Sequence, residues 1–380
     1  MTFVPFHQPH FDADDRKAAL QVLESGFVTM GQHVFDFEAA LADLHGRRHA
    51  VMVNACTNGH MLVFQYLRHK IGLPAGRTAV FPATTFAGPA FQAVHAGFHV
   101  ELADTNPETG ATDVDLFQPW LNTQELPAFL APMPYAGVPL PGMSALLSAA
   151  QIKEVPVIED CAHAIGARYA DGTLVGSLPT FASVFSFYPT KVLNAVEGGM
   201  ILTDDDDLAG WCRAARLHGV DRPVAGRYQS ATSDWEYALP IMGYKCNPAN
   251  MQGAIGVSQL KRLPDTLARL KQISDHYCTA ATSAGLSPIS GQSFGNQHLF
   301  ILRDVERDRF LSHMRQHEVQ CSVHYPPLWK MAAWQGRSWE LPGAERFVAG
   351  CVSLPIFTGL SAEQITQIAQ ALMKFPPNSL

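Results

Sequence analysis

Two side chains of opposite charge offer the clearest chemistry in this chain. Asp160 follows the apolar run Val155-Pro156-Val157-Ile158, within Glu159-Asp160-Cys161-Ala162-His163-Ala164. Lys191 lies just past a second apolar run, in Phe185-Ser186-Phe187-Tyr188-Pro189-Thr190-Lys191, and Glu197-Gly198-Gly199 comes after it. A desolvated lysine amine is a nucleophile for carbonyl carbon. A fixed carboxylate can hold a proton on a ring nitrogen. Pyridoxal phosphate needs both, a lysine for its Schiff base and a carboxylate opposite its pyridine nitrogen. The spacing alone is weak evidence; the residues around it say more.

Regular elements must carry these groups. Asp12 is placed to cap a helix running to Ser25, with Gly26 as its stop. Val34, Phe37, Leu41 and Leu44 give a second helix one apolar face, and Gly46 ends it. Residues 50–53 form a short apolar strand, and Thr57 is placed to cap the next helix, buried through Met61, Leu62, Phe64 and Leu67. Such a strand–cap–helix unit presents free N–H groups at the positive end of the helix dipole. It suits a phosphate, or is simply a capped core helix. Strands follow at 78–81 and 99–104, with Pro89 near the start of the helix between them. Two more are expected at 128–138 and 155–159, around a helix near 142–152.

Alternation of this kind predicts a largely parallel sheet with helices on both faces, and ligands at the carboxyl ends of its strands, where Asp160 falls. Residues 220–242 are polar and aperiodic. They read as a loop near a site mouth whose Arg222 and Arg227 either meet a substrate phosphate or stay solvated. A helix over 251–263 is broken at Pro264, and a strand at 298–303, a helix at 305–317, a strand at 319–323 and a last helix at 361–374 complete the chain. The expected fold class is α/β: a large domain over 1–250, with a mostly parallel mixed sheet flanked by helices, and a smaller C-terminal α/β domain over 251–380.

Composition narrows the function classes. With 380 residues, 47% hydrophobic and 16% charged, the chain has length and apolar content for a sizeable core. A net charge of −7 argues against general nucleic-acid binding, which needs a basic face. Seven scattered cysteines without a Cys-x-x-Cys pair point to reduced thiols rather than a disulfide framework or a zinc site, so no metal is expected. The start carries no signal-peptide pattern and no apolar run reaches a membrane span, so a cytoplasmic protein with no membrane partner is expected. Glycine-rich dinucleotide and Walker motifs are absent.

The two opening stretches resemble the DegT/DnrJ/StrS family of sugar aminotransferases, which share the aspartate aminotransferase fold, fold type I. Asn54-Ala55-Cys56-Thr57, Phe81-Pro82-Ala83-Thr84-Thr85-Phe86, Gly243-Tyr244-Lys245-Cys246-Asn247, Val323-His324-Tyr325-Pro326 and Leu354-Pro355 continue the resemblance over nearly the whole chain. It implies pyridoxal 5'-phosphate as cofactor, held by Lys191, with pyridoxamine phosphate as intermediate. Asp160 then faces the ring nitrogen, Phe86 stacks on the ring, Thr57, Asn58 and Ser186 bind phosphate, and His163 reaches the 3-hydroxyl where relatives commonly have Gln. Asn247 serves the phosphate of a neighbouring subunit, so a homodimer with shared active sites is implied. Thr29, His324 and Tyr325 line the sugar side. Departures from the pattern are Ala55-Cys56 for Ser-Gly, Val196 for Gly and Trp329 for a residue often His.

The activity implied is transfer of an amino group from an amino acid donor, glutamate by expectation, to a keto sugar, foremost a nucleotide-linked 4-keto-6-deoxy sugar. A 3-keto nucleotide sugar, a keto-inositol or a free keto sugar acid are alternatives. Related sugar 3-dehydratases carry His in place of the lysine, so Lys191 counts against that chemistry. A non-catalytic cofactor-binding regulator would be expected to carry an added DNA-binding region.

Overall fold

The computed structural model describes residues 2–220 and 238–375. Arg222 and Arg227, expected near a site mouth, lie outside the described residues. Local rules set the N-terminal helices. The side chain of Asp12 accepts the N–H of Asp15 at 2.9 Å, and the Asp15 carboxylate accepts the N–H of Asp12 at 3.1 Å. This reciprocal cap, worth about 1 kcal/mol, starts α1 (Ala13–Ser25), and Gly26 ends it at φ 70. In α2 (Gln32–His45), Val34, Phe37 and Leu41 are buried as the periodicity predicts. Leu44 is not: it is 40% exposed, at the edge of the buried stripe.

Among the described residues ten strands follow, interleaved with further helices. Seven form one layer: β1 (His49–Val53), β2 (Thr78–Pro82), β3 (His99–Ala103), β4 (Phe129–Leu130), β5 (Ile158–Asp160), β6 (Ala182–Ser186) and β7 (Gly199–Thr203). Their spatial order is β1-β7-β6-β5, joined through the Leu130–Val157 bridge to β4-β2-β3. β7 runs antiparallel to both neighbours and the other pairings are parallel. The expected strand over 128–138 shrinks to two residues, because Tyr135–Gly137 turns as a 3-10 helix.

Side-chain alternation gives the sheet two buried faces. Val51, Val53, Val184 and Ile201 pack against α3 (Cys56–His69), α4 (Ala87–His95) and α7 (Asp206–Ala215), with α5 (Val114–Phe117) and α6 (Met143–Ile152) intervening in the chain. Ala50, Met52, Phe185 and Met200 pack on the opposite face with α2 and α8 (Asn250–Lys261). One glycine decides how closely α3 sits on the strand ends. A Cβ on Gly199 would stand 2.6 Å from the Cys56 nitrogen, so only glycine there lets the helix start against β7.

Thr57 does not cap α3. The helix begins at Cys56 with Ala55 at the cap position and no side-chain bond, which places Thr57 inside the first turn.

The C-terminal residues form a second sheet, β10-β9-β8, from β8 (Ser287–Pro288), β9 (Phe300–Arg303) and β10 (Val352–Leu354), all antiparallel. Its Phe300, Leu302, Val352 and Leu354 share a core with α9 (Leu263–Ser283) and α12 (Ala362–Lys374), while α10 (Arg307–Gln316) and α11 (Pro342–Gly350) lie between in the chain. Val4 joins that core, bridging to Val319. The strand expected at 319–323 is only two isolated bridges, at Val319 and Ser322, because its partners Val4 and Ser353 belong to different segments. Among the described residues no helix is long and apolar enough to cross a membrane.

Candidate active site

Asp160 ends β5 at the carboxyl edge of the large sheet and is 4% exposed. Its Oδ1 accepts the N–H of Ala162 at 3.0 Å, and its Oδ2 accepts no hydrogen bond among the described residues. Behind it stands His60, fully buried on α3, with Nε2 4.0 Å from Oδ1 and no hydrogen-bond partner for that nitrogen. His60 Nδ1 lies 3.2 Å from the Cys56 carbonyl, which can only accept, so Nδ1 carries the hydrogen. Burial lowers the His60 pKa, and Asp160 works against that. Burial pushes the nearby Cys56 thiol well up, and Asp160 adds to it. Atoms of Cys56, His60 and Asp160 lie within 4.8 Å of one another.

Lys191 follows β6 through a tight turn in which its N–H donates to the Tyr188 carbonyl at 2.9 Å. Phe187 bonds both Gly198 and Ala195, which closes the lysine loop on itself. Burial lowers the Lys191 pKa to about 8, with Cys56 and Asp160 pulling it back up. The amine lies 3.3 Å from Nε2 of His298, and no carboxylate pairs with it among the described residues.

His163 is buried, and its ring orientation is set by two bonds. The N–H of Ala136 donates to Nδ1 at 3.2 Å, so Nε2 carries the hydrogen and donates to the Tyr325 hydroxyl at 2.7 Å. Burial and then the charge of Lys191 hold the His163 pKa well below the usual range. Burial raises the Tyr325 pKa, with Asp160 adding to it. His324 bonds Ser353 at 2.9 Å through Nδ1, its carbonyl accepts the Tyr135 hydroxyl, and burial with Lys191 lowers its pKa to about 4. Phe86 immediately precedes α4 and is 55% exposed, with its ring 5.8 Å from that of Tyr325. A Cβ on Gly88 would lie 3.0 Å from both Phe86 Cε1 and Thr57 Oγ1, so the starts of α3 and α4 meet beside that ring.

Lys191, Asp160, His163, His324, Tyr325, Phe86 and Thr57 therefore share one neighbourhood. The remaining expected residues bond elsewhere. Asn58 donates to Asn54 at 2.7 Å, Ser186 Oγ accepts the N–H of Tyr188 at 3.4 Å, and Asn247 accepts from Lys245 at 2.6 Å. Thr29 sits half-buried in a loop whose Phe27 and Val28 carbonyls are held by Asn250. No hydrogen bond, ion pair or ring contact among the described residues ties these four to the cluster.

His298 and His60 escaped the sequence reading. A histidine leading an otherwise apolar strand, and one at four-residue spacing from Cys56, were the available signals. The residues present fit pyridoxal phosphate: a desolvated amine without a carboxylate partner, a buried carboxylate with one free oxygen, a helix start and an exposed ring.

A model of the DegT/DnrJ/EryC1/StrS aminotransferase family matches residues 9–373. The spore coat polysaccharide biosynthesis protein SpsC of Bacillus subtilis (strain 168) is 30% identical over 390 residues, covering 97% of this chain and 96% of its own. Two solved structures under 25% identical show the same fold. Spr1654 of Streptococcus pneumoniae in its PMP form has a TM-score of 0.88 at 24% identity, covering 98% of each chain, and a PLP form is also solved. Helicobacter pylori PseC, an aminotransferase involved in pseudoaminic acid biosynthesis, has a TM-score of 0.87 at 22% identity, again over 98% of each chain.

Proposed function

The chain belongs to the DegT/DnrJ/EryC1/StrS aminotransferase family, and from that premise we propose that it moves an amino group from glutamate to a nucleotide-linked 4-keto-6-deoxy sugar. The family depends on pyridoxal phosphate. When bound, that cofactor supplies a carbonyl for the lysine amine and an electron sink for the donor's α-carbon. The observation that carries the reading is the desolvated Lys191 amine beside a buried Asp160 with one free oxygen.

We assign Lys191 as the residue that holds the cofactor, and then as the base and acid that moves a proton at the donor's α-carbon. A lysine whose pKa burial has lowered to about 8 is neutral far more often near neutral pH than a surface lysine, as that role needs. Asp160 keeps the ring nitrogen protonated through its free oxygen. His163 and Tyr325, already bonded to each other, orient the 3-hydroxyl side, and Phe86 covers the ring face. Thr57, Asn58 and Ser186 are assigned to the phosphate, and Thr29, His324 and Tyr325 to the sugar. Asn247 is assigned to the partner's phosphate in a homodimer, since its own bonds stay within its loop. We place the division between a cofactor-binding large domain and a small domain near residue 250, and the reaction in the cytoplasm, where the seven free cysteines stay reduced.

The test is substrate choice. The pyridoxamine phosphate form is incubated with a panel of keto sugars while the visible absorbance of lysine-bound cofactor is followed. Recovery with a 4-keto-6-deoxy nucleotide sugar is expected. Recovery only with a 3-keto nucleotide sugar, a keto-inositol or a free keto sugar acid would overturn the substrate assignment.

A further inference from the structure

Lys191 borders a second space. Together with His298, Asn194, His7, Gln259 and Arg262 it lines a pocket of about 30 Å³ on the side of α9 and the N-terminal segment. A water molecule needs roughly 10–15 Å³ of such space, so there is room for about two. Three buried atoms of this lining have no hydrogen-bond partner among the described residues: His298 Nδ1, Asn194 Oδ1 and Arg262 Nε, the last of which faces the Asp12 carboxylate at 3.5 Å.

The first two are complementary. His298 is held neutral by its burial, and the charge of Lys191 acts in the same direction, with the rings of His324 and His7 nearby. The ring of His163 also lies against it, 4.3 Å between centroids, and Arg262 lines the same pocket. A neutral imidazole carries one hydrogen. With the charged amine donating to Nε2 over 3.3 Å, that hydrogen sits on Nδ1. Nδ1–H is then a donor without an acceptor, and Asn194 Oδ1 an acceptor without a donor. Unpartnered buried polar groups are costly, and a bridging water satisfies both.

We infer that this pocket binds ordered water between His298 Nδ1 and Asn194 Oδ1, and that His298 relays protons between the Lys191 amine and that water. The inference rests on Lys191 being the base of the proposed transamination. In the outward direction an N–H bond of the Lys191 ammonium breaks as one forms at Nε2. The Nδ1–H bond breaks, and its proton passes to the water and on to solvent. The amine is left neutral and the ring neutral in its other tautomer. Because the buried site disfavours an imidazolium, the two transfers are coupled rather than stepwise. His298 is thus a positioning residue that acts through Lys191.

The first test is a high-resolution crystal structure of the holoenzyme. Water within hydrogen-bond distance of both His298 Nδ1 and Asn194 Oδ1 is expected; a dry pocket overturns the water site. The second follows loss of deuterium from an α-deuterated amino donor to solvent, relative to net transfer. His298→Gln keeps an acceptor for the amine, but an amide does not pass protons, so washout should fall by at least about tenfold. Asn194→Leu, which spares the Lys191–His298 contact, should lower it in the same direction. Imidazole added to His298→Gly should restore it. Equal washout in wild type and His298→Gln, with the variant folded and loaded with cofactor, overturns the relay. Should His298→Gln fail to fold, unchanged washout in Asn194→Leu overturns it instead. A Lys191→Ala variant that still transaminates would instead sink the proposed function, so the two failures are distinguishable.

Discussion

Lys191 is where burial and chemistry meet most directly. Removing water from an ammonium costs more than removing it from an amine, so its pKa falls to about 8 from the usual 10.5. Four outcomes follow at this scale. In the cofactor-free protein, carbamylation of Lys191 by cyanate, read by peptide mass spectrometry, should rise through about pH 8 and then level off; a midpoint near that of a surface lysine would contradict the burial. The sign also extends to stability. A folded-state pKa below the unfolded one means the unfolded chain binds more protons between about 8 and 10.5, so stability gains with pH across that window. Lys191→Met should flatten that gain in denaturant titrations at a series of pH values. For turnover, Lys191→Ala should lose transamination by several orders of magnitude while still folding and binding cofactor noncovalently. Asp160→Asn should lower turnover by roughly 10²-fold or more, with a modest loss of cofactor affinity, because an amide holds the ring-nitrogen proton less well. An unchanged rate would mean that Asp160 does not serve that nitrogen.

Among the elements, the junction of α3 with β7 carries most weight. It brings Cys56, Thr57 and His60 to the strand ends where Asp160 and Lys191 emerge, and Gly199 permits the approach. Gly199→Ala would push a methyl into the Cys56 backbone, which cannot swing aside as a side chain can. A loss of about 1–3 kcal/mol is expected, together with weaker cofactor binding. Equal Tm and cofactor affinity in the variant would show that α3 can back away without consequence. The α1 cap, the Gly26 and Gly46 stops and the buried stripe of α2 were legible because each rests on neighbours a few residues apart. Thr57 was misjudged for the opposite reason. Both Ala55 and Thr57 can precede a helical run, and the approach to β7 starts the helix at Cys56.

On the scale of the whole molecule, the proposed sharing of sites between subunits has a direct test. A Lys191→Ala chain is mixed with an Asn247→Ala chain. If Asn247 acts across the interface, each mixed dimer regains one competent site, because the Lys191→Ala chain lends its Asn247 to the site that keeps Lys191. Activity above that of either parent dimer is expected, and none on confirmed mixing would place Asn247 within its own chain. What the sequence determined by itself was the alternation of strands and helices over much of the chain, the α/β class and the aminotransferase family. These follow from periodicity, caps and motif residues, all read along the chain. Only the tertiary structure brought His298 from β9's leading edge to the Lys191 amine, and His60 from α3 to the back of Asp160. It also dissolved the strand expected at 319–323 into bridges with Val4 and Ser353. Contacts between residues far apart in the chain leave no period or spacing to read; they exist only once the sheet and its helices have closed on each other.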